Sequence, residues 1–209
     1  MAEIEYFYIP HGAYAYLGSA TFLKLAKAAG RRIVHKPFDF ARIVAGAGST
    51  ATRERTQQHR AYFFGREIER WAEHRNAPVV RGMPTHHWND ASTAARALIA
   101  ASEIADADAL SHAFLEAHWR DDADLADRPT LERLIAGVGL DPAAILARAD
   151  APETGAQYET NTQEAIARSV FGSPTFFVDG DMFYGQDRLE LVERACRQAY
   201  RGVWPPKDA

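Results

Sequence analysis

At 209 residues the chain is long enough for one domain with a sizeable core, or for a small domain carrying an inserted subdomain. Hydrophobic residues make up 47% and charged residues 25%, the balance of a globular protein rather than a disordered one. A formal charge of -4 offers no electrostatic footprint for nucleic acid or an anionic membrane, and the one cysteine, Cys196, excludes an intrachain disulfide and a Cys-rich zinc site. With no basic-then-apolar leader and no long apolar run, the sequence predicts a cytoplasmic protein without a membrane segment.

Residues 4–9 are aromatic and apolar and end at Pro10, which predicts a strand. Pro10, His11 and Gly12 form a turn. From 14 to 29, Leu17, Phe22, Leu25 and Ala28 recur at helical spacing, and Gly30 stops the run. A second strand over 32–38 completes a β-loop-α-β opening, the pattern of a parallel pair with a crossover helix. Residues 53–75 read as a long charged helix with Phe63, Phe64, Ile68 and Trp71 on one side. Amphipathic helices follow over 91–104, 107–119, 130–138, 142–149 and 153–170, with Pro129 and Pro142 where two of them begin. A strand over 175–178, a tight turn at Asp179-Gly180 and a partner over 182–184 predict a hairpin, and a last helix runs over 187–200. The expected architecture is α/β. The two ends, 1–40 and 165–201, build one four-stranded sheet domain, 41–164 form an inserted all-helical domain, and 202–209 are a loose tail.

Phe171-Gly172-Ser173-Pro174-Thr175 is the most informative stretch. A Pro opening a buried strand cannot donate to the ladder, and its X-Pro bond is a candidate for the cis form. A cis bond would turn out the N–H and C=O of Ser173, which could then pair with an extended peptide ligand. The plain alternative is a Pro at a strand's first residue. Asp187 with Glu190 three residues later also reads as a capping box. His86 and His87 are adjacent and would not both face one site on regular structure, so no metal site is expected there. His118 at a helix end suits the helix dipole, Trp119 and Cys196 suit packing, and Tyr14 and Tyr16 are long aromatics of the kind that pack at a helix start.

The run Val170 to Gly180, followed by Met182-Phe183-Tyr184-Gly185-Gln186-Asp187-Arg188-Leu189, resembles the C-terminal signature of the 2-hydroxychromene-2-carboxylate isomerases, relatives of the kappa-class glutathione transferases and, more distantly, of the dithiol oxidases. Tyr14-Ala15-Tyr16-Leu17-Gly18, the stretch Arg66-Glu67-Ile68-Glu69-Arg70-Trp71-Ala72, and Ala117-His118-Trp119 match the family in the right order. The resemblance implies a thioredoxin-like fold with an inserted helical domain, glutathione as cofactor, a small aromatic substrate and usually a homodimer. It also implies roles. Ser173, before Pro174, would bond the cysteinyl part of glutathione through its backbone. Gln186 and Asp187 would hold the γ-glutamyl end, a basic residue of the long helix, which falls at Arg60 by counting back from Trp71, would help bind the cofactor, and the loop Met83-Pro84-Thr85-His86-His87-Trp88-Asn89 could line the second-substrate pocket.

The reactive motif after the first strand departs from the family. Where the family usually has Ser-Pro-aromatic-Ser, this chain has Gly12-Ala13-Tyr14-Ala15, so the hydroxyl that faces the sulfur is missing. Backbone N–H groups around Gly12–Tyr14 could stabilise a thiolate in part, and His11 could act as a cation beside the sulfur or as a proton shuttle. His11, Gly12 and Tyr14 are therefore the candidate catalytic positions. Direct thiol–disulfide exchange is excluded, since no cysteine lies near. The expected function is a glutathione-dependent isomerase of aromatic catabolism working by reversible thiolate addition. The alternatives are a kappa-like glutathione transferase with a changed substrate, and a glutathione-binding protein without catalysis.

Overall fold

The computed structural model describes residues 2–46, 54–202 and 204–205. Four strands form one mixed sheet in the order β2-β1-β3-β4, with β1 at Glu3–Tyr8, β2 at Arg32–Pro37, β3 at Thr175–Val178 and β4 at Asp181–Tyr184. Helix α1 (Ala13–Ala28) is the crossover between the parallel pair β1 and β2, whereas β3 runs antiparallel to both β1 and β4. The register sets Tyr6 between His35 and Phe176, and the rings of Tyr6 and Phe176 stack at 5.3 Å. Phe22 of α1 lies 4.8 Å from Tyr6 and 4.7 Å from Phe176, so one aromatic cluster fixes helix to sheet. This is the thioredoxin-like α/β fold expected from the sequence.

Between β2 and β3 come α2 (Phe40–Gly46), α3 (Gln57–Ala61), α4 (Glu67–Arg75), α5 (Ser92–Ile104), α6 (Asp108–Asp121), α7 (Arg128–Gly137), α8 (Pro142–Ala149) and α9 (Pro152–Ala167). Asp127 and Asp141 cap α7 and α8, accepting from the N–H of Thr130 and of Ala143, with Pro129 and Pro142 in the first turn. A chain that runs from the core to the surface ties this layer to the sheet: Tyr8 Oη lies 2.9 Å from His35 Nδ1, and His35 Nε2 lies 2.8 Å from Asp108 Oδ1. No described helix is long and apolar enough to cross a membrane.

Two expected helices are different in the structure. The predicted helix over 53–75 is not uniform: a π-helical turn, Tyr62–Arg66, separates α3 from α4, and residue 53 lies outside the described residues. The wide turn inserts a residue, so an apolar face counted at 3.6 residues per turn does not carry through it. The last helix, α10, spans only Leu189–Arg197. A 3-10 turn, Gln186–Arg188, precedes it. No side chain caps either element, and the Asp187 carboxylate pairs with Arg188, so the capping box does not form. Of the expected tail, 203 and 206–209 also lie outside the described residues.

Candidate functional site

Strand β1 runs through Tyr8 into the turn Ile9–Gly12, where Gly12 N–H donates to the Ile9 carbonyl (3.1 Å). Gly12 is the N-cap of α1 and contributes no side-chain cap, and no acid stands in the first turn. The opening N–H groups of α1 are thus left for something outside the helix. Facing them is Ser173, joined to Pro174 by a cis peptide bond. Ser173 Oγ accepts from the Ile9 N–H (3.1 Å), and a Cβ on Gly12 would sit 3.1 Å from that same Oγ. A side chain at position 12 would therefore crowd the hydroxyl at 173.

Two cavities meet at this point. Ser173, Tyr14, Phe63 and Tyr184 border both. The first, of about 230 Å³, runs toward the inserted helices and is walled by Phe40, Phe64, Trp88, Trp119 and Phe171 together with His11, His87 and Arg55. The second, of about 290 Å³, runs along the 3-10 turn and is walled by Gln186, Asp187, Arg188, Glu67, Tyr62 and Trp71. Both arms carry aromatic rings; the first, which holds the histidines, is called the aromatic arm, and the second, which gathers Glu67, Gln186, Asp187 and Arg188, the polar arm. Glycines shape both. At Gly172 a Cβ would lie 2.2 Å from the Tyr184 ring, and at Gly18 it would lie 2.6 Å from Gln186 Cβ. Gln186 is buried against α1, and its Oε1 accepts from Arg75 Nε (3.3 Å) and Nη2 (3.2 Å) at the end of α4.

Six of the residues singled out from sequence border this cleft: His11, Gly12, Tyr14, Ser173, Gln186 and Asp187. Pro174 is buried beneath it, its carbonyl accepting from Gly185 N–H (2.9 Å). Arg60 borders neither cavity; its guanidinium turns back to the Arg55 carbonyl, and Arg55 stands in the wall of the first cavity. Tyr14 donates its hydroxyl proton to the Phe63 carbonyl inside the π-helical turn (2.7 Å), and burial pushes its pKa up. Tyr16 donates to the Pro78 carbonyl (2.9 Å) and packs in the core.

The sequence reading had Trp88 in a loop able to line a substrate pocket, as it does here, but missed Arg55 and Tyr184 as wall residues and missed a histidine cluster. His11 and His87 touch edge to face with centroids 5.2 Å apart, and His11 and His118 do so at 5.9 Å. His11 Nδ1 is buried without a hydrogen-bond partner among the described residues. Burial, with His118 adding to it, brings the His11 pKa down to about 4, so the ring is neutral near neutral pH and the expected cation is replaced by a neutral imidazole. His87 falls to about 3 through burial and through His11 and His118. His118 is lowered as well, chiefly by burial. Its ring does not simply face the helix dipole: Nδ1 lies 3.0 Å from the Ala123 carbonyl and Nε2 lies 3.0 Å from His87 Nδ1. His86 points elsewhere, toward Asp124 (3.5 Å). Among the described residues no group of His, Cys, Asp and Glu has the arrangement of a metal site. Trp119 Nε1–H donates to the His11 carbonyl (2.9 Å) and fixes the turn to α6.

A family model described as a DSBA-like thioredoxin domain matches residues 4–197. The 2-hydroxychromene-2-carboxylate isomerase of Sphingobium xenophagum is 27% identical over 192 residues, 91% of this chain and 95% of its own. The protein of the same name from Pseudomonas putida is 27% identical over 203 residues, 93% and 96% of the two chains. A solved structure of a 2-hydroxychromene-2-carboxylate isomerase has a TM-score of 0.79 at 24% identity, over 93% of this chain and 96% of its own, a likeness of fold.

Proposed function

The chain belongs to the DSBA-like thioredoxin family, and on that footing we propose that it is a glutathione-dependent isomerase of a small aromatic substrate, of the kind its isomerase relatives are named for. The observation that carries the reading is the junction at Ser173, where a polar cavity fit for a peptide meets an aromatic cavity fit for a ring.

The residues present fit glutathione. In the polar arm Asp187 would accept from the γ-glutamyl ammonium, and Gln186, held by Arg75, would fix the same end. When bound, glutathione supplies a thiol nucleophile that is regenerated at the end of the reaction. Its stabilisation does not need a serine at position 12. Ser173 Oγ already accepts from Ile9 N–H, so its own proton is left to donate into the junction. The uncapped start of α1 adds positive potential from Gly12 to Tyr14. Both favour the charged form of a sulfur there. Across the junction, Phe63, Trp88 and Trp119 cover an aromatic substrate and exclude water. Neutral His11 stands in that wall as a group able to pass a proton.

The test is calorimetric titration with glutathione, with the bound thiol's pKa read from its thiolate absorbance. A Cys196→Ser background removes the protein's one cysteine from that signal. Tight binding and a pKa below that of free glutathione are expected. Ser173→Ala should keep most of the affinity and raise the bound thiol's pKa by about one unit, the worth of one hydrogen bond to a charged group. No heat on titration overturns the reading.

A further inference from the structure

The histidines of the aromatic arm form a directed chain. The Ala123 carbonyl can only accept, so His118 Nδ1, at 3.0 Å, carries the proton. Burial keeps His118 neutral, so its Nε2 is bare and accepts from His87 Nδ1–H at 3.0 Å. His87 is neutral in turn, and its Nε2 holds a lone pair on a ring that borders the cavity. Free neutral histidine has no such obligation; here two successive hydrogen bonds set both tautomers. Position is fixed too, because His87 packs between the rings of Trp88 (4.9 Å), Trp119 (5.4 Å) and His11 (5.2 Å).

We propose that His87 Nε2 is a fixed hydrogen-bond acceptor that selects aromatic ligands bearing a hydroxyl group, with His118 as the positioning residue that sets its tautomer through the Ala123 carbonyl. The proposal deepens the reading of the aromatic arm as the substrate site and does not depend on glutathione. An acceptor that a bound ligand covers without pairing is costly, so a ligand with no proton to give is refused even when its shape fits. The titratable groups acting on His87 are His11 and His118, both neutral. Asp122, Asp124 and His86 act on His118 from its far side, and no carboxylate acts on His87 itself. The acceptor therefore does not become a cation over the ordinary range of pH, and it meets a hydroxyl group as a neutral partner.

Two measurements on the full chain test this. Long-range proton–nitrogen NMR should show His87 and His118 with protonated Nδ1 and bare Nε2. Binding of ortho-hydroxycinnamate and ortho-methoxycinnamate, followed by the fluorescence of Trp88 and Trp119, should favour the hydroxyl compound about tenfold. His87→Phe should remove the preference. His118→Phe should weaken it and release the His87 tautomer, a change that a merely structural role would not produce. Equal affinity for the two probes, or a protonated Nε2 on His87, overturns the proposal. Failure of both probes to bind overturns it together with the substrate reading of this arm, whereas the calorimetric test of glutathione stands apart.

Discussion

The two arms of the cleft are built by opposite means. The polar arm is largely local: Ser173, Tyr184, Gly185, Gln186, Asp187 and Arg188 come from one run of sixteen residues counted from 173 to 188, closed by α4. The aromatic arm is assembled from far apart, with Ile9–Tyr14 after β1, Phe40 and Val44 on α2, Phe63 in the π-helical turn, His87 and Trp88 in a loop and Trp119 on α6. Local construction makes an arm that a single backbone contact can wreck. Assembly from distant pieces makes one whose chemistry depends on burial and on how neighbours titrate.

The largest expected effect strikes the polar arm alone. At Gly18 a Cβ would approach Gln186 Cβ to 2.6 Å and Leu189 Cδ1 to 3.5 Å. Gly18→Val should force Gln186 off α1, costing about 2 kcal/mol of stability as an overpacked contact does. It should also lower glutathione affinity about tenfold or more, since Gln186 then leaves Arg75. Chemical denaturation and calorimetry measure the two. Binding of ortho-hydroxycinnamate should survive in the folded fraction, and its equal loss would show that the arms are one unit.

The same difference decides what was legible in the sequence. The β-α-β opening, the hairpin and the helical block follow from period and punctuation, and the polar arm follows from a contiguous motif with its glycines. Gly185, at φ 98, and the run Ser173-Pro174 mark the turns that shape it. The aromatic arm left only separate marks, at His11–Tyr14 and in the loop that holds His87 and Trp88. His87 and His118 are 31 residues apart and meet only because the loop before α5 folds back on α6. Arg60 came from a count along the resemblance, which does not report which side chain reaches the cleft; Arg55 stands in its wall, and Arg60 turns to the Arg55 carbonyl. His11 borders the cleft, and of the two roles the sequence left open for it, cation or proton shuttle, burial disfavours the cation, since spacing cannot report that a turn is sealed by Trp119 and two further imidazoles.

Acid should separate the arms next. His11 and His87 are held neutral in the folded chain, with pKa values of about 4 and about 3, while in the unfolded chain they regain the ordinary value near 6.5. Between these values the unfolded chain binds more protons than the folded one, so stability falls as pH falls below 6.5. The slope is about 1 kcal/mol per pH unit for each ring that titrates in this way. Urea unfolding across mildly acidic pH reads it. His87→Phe removes one of the titrating rings and should flatten the slope, while Ser173→Ala, in the junction, should leave it unchanged. An unchanged slope in the His87 variant would mean that the cluster opens to water.

The smallest effect decides which arginine serves the cleft. Arg55 lies over the Phe63 ring, 5.2 Å from its centroid, in the wall of the aromatic arm. Arg60 is on the exposed surface of α3 and reaches back to the Arg55 carbonyl. A guanidinium beside the junction attracts a carboxylate-bearing ligand, and a half-solvated contact of this kind is worth about a threefold change in affinity. Arg55→Gln should therefore weaken ortho-hydroxycinnamate about threefold by fluorescence titration, with the weakening reduced by added salt. Arg60→Gln should leave that affinity unchanged and act, if on anything, on the order of the turn that carries Arg55. The reverse ranking would return the basic residue of the site to α3 and break the division into a polar arm served by Arg75 and an aromatic arm served by Arg55.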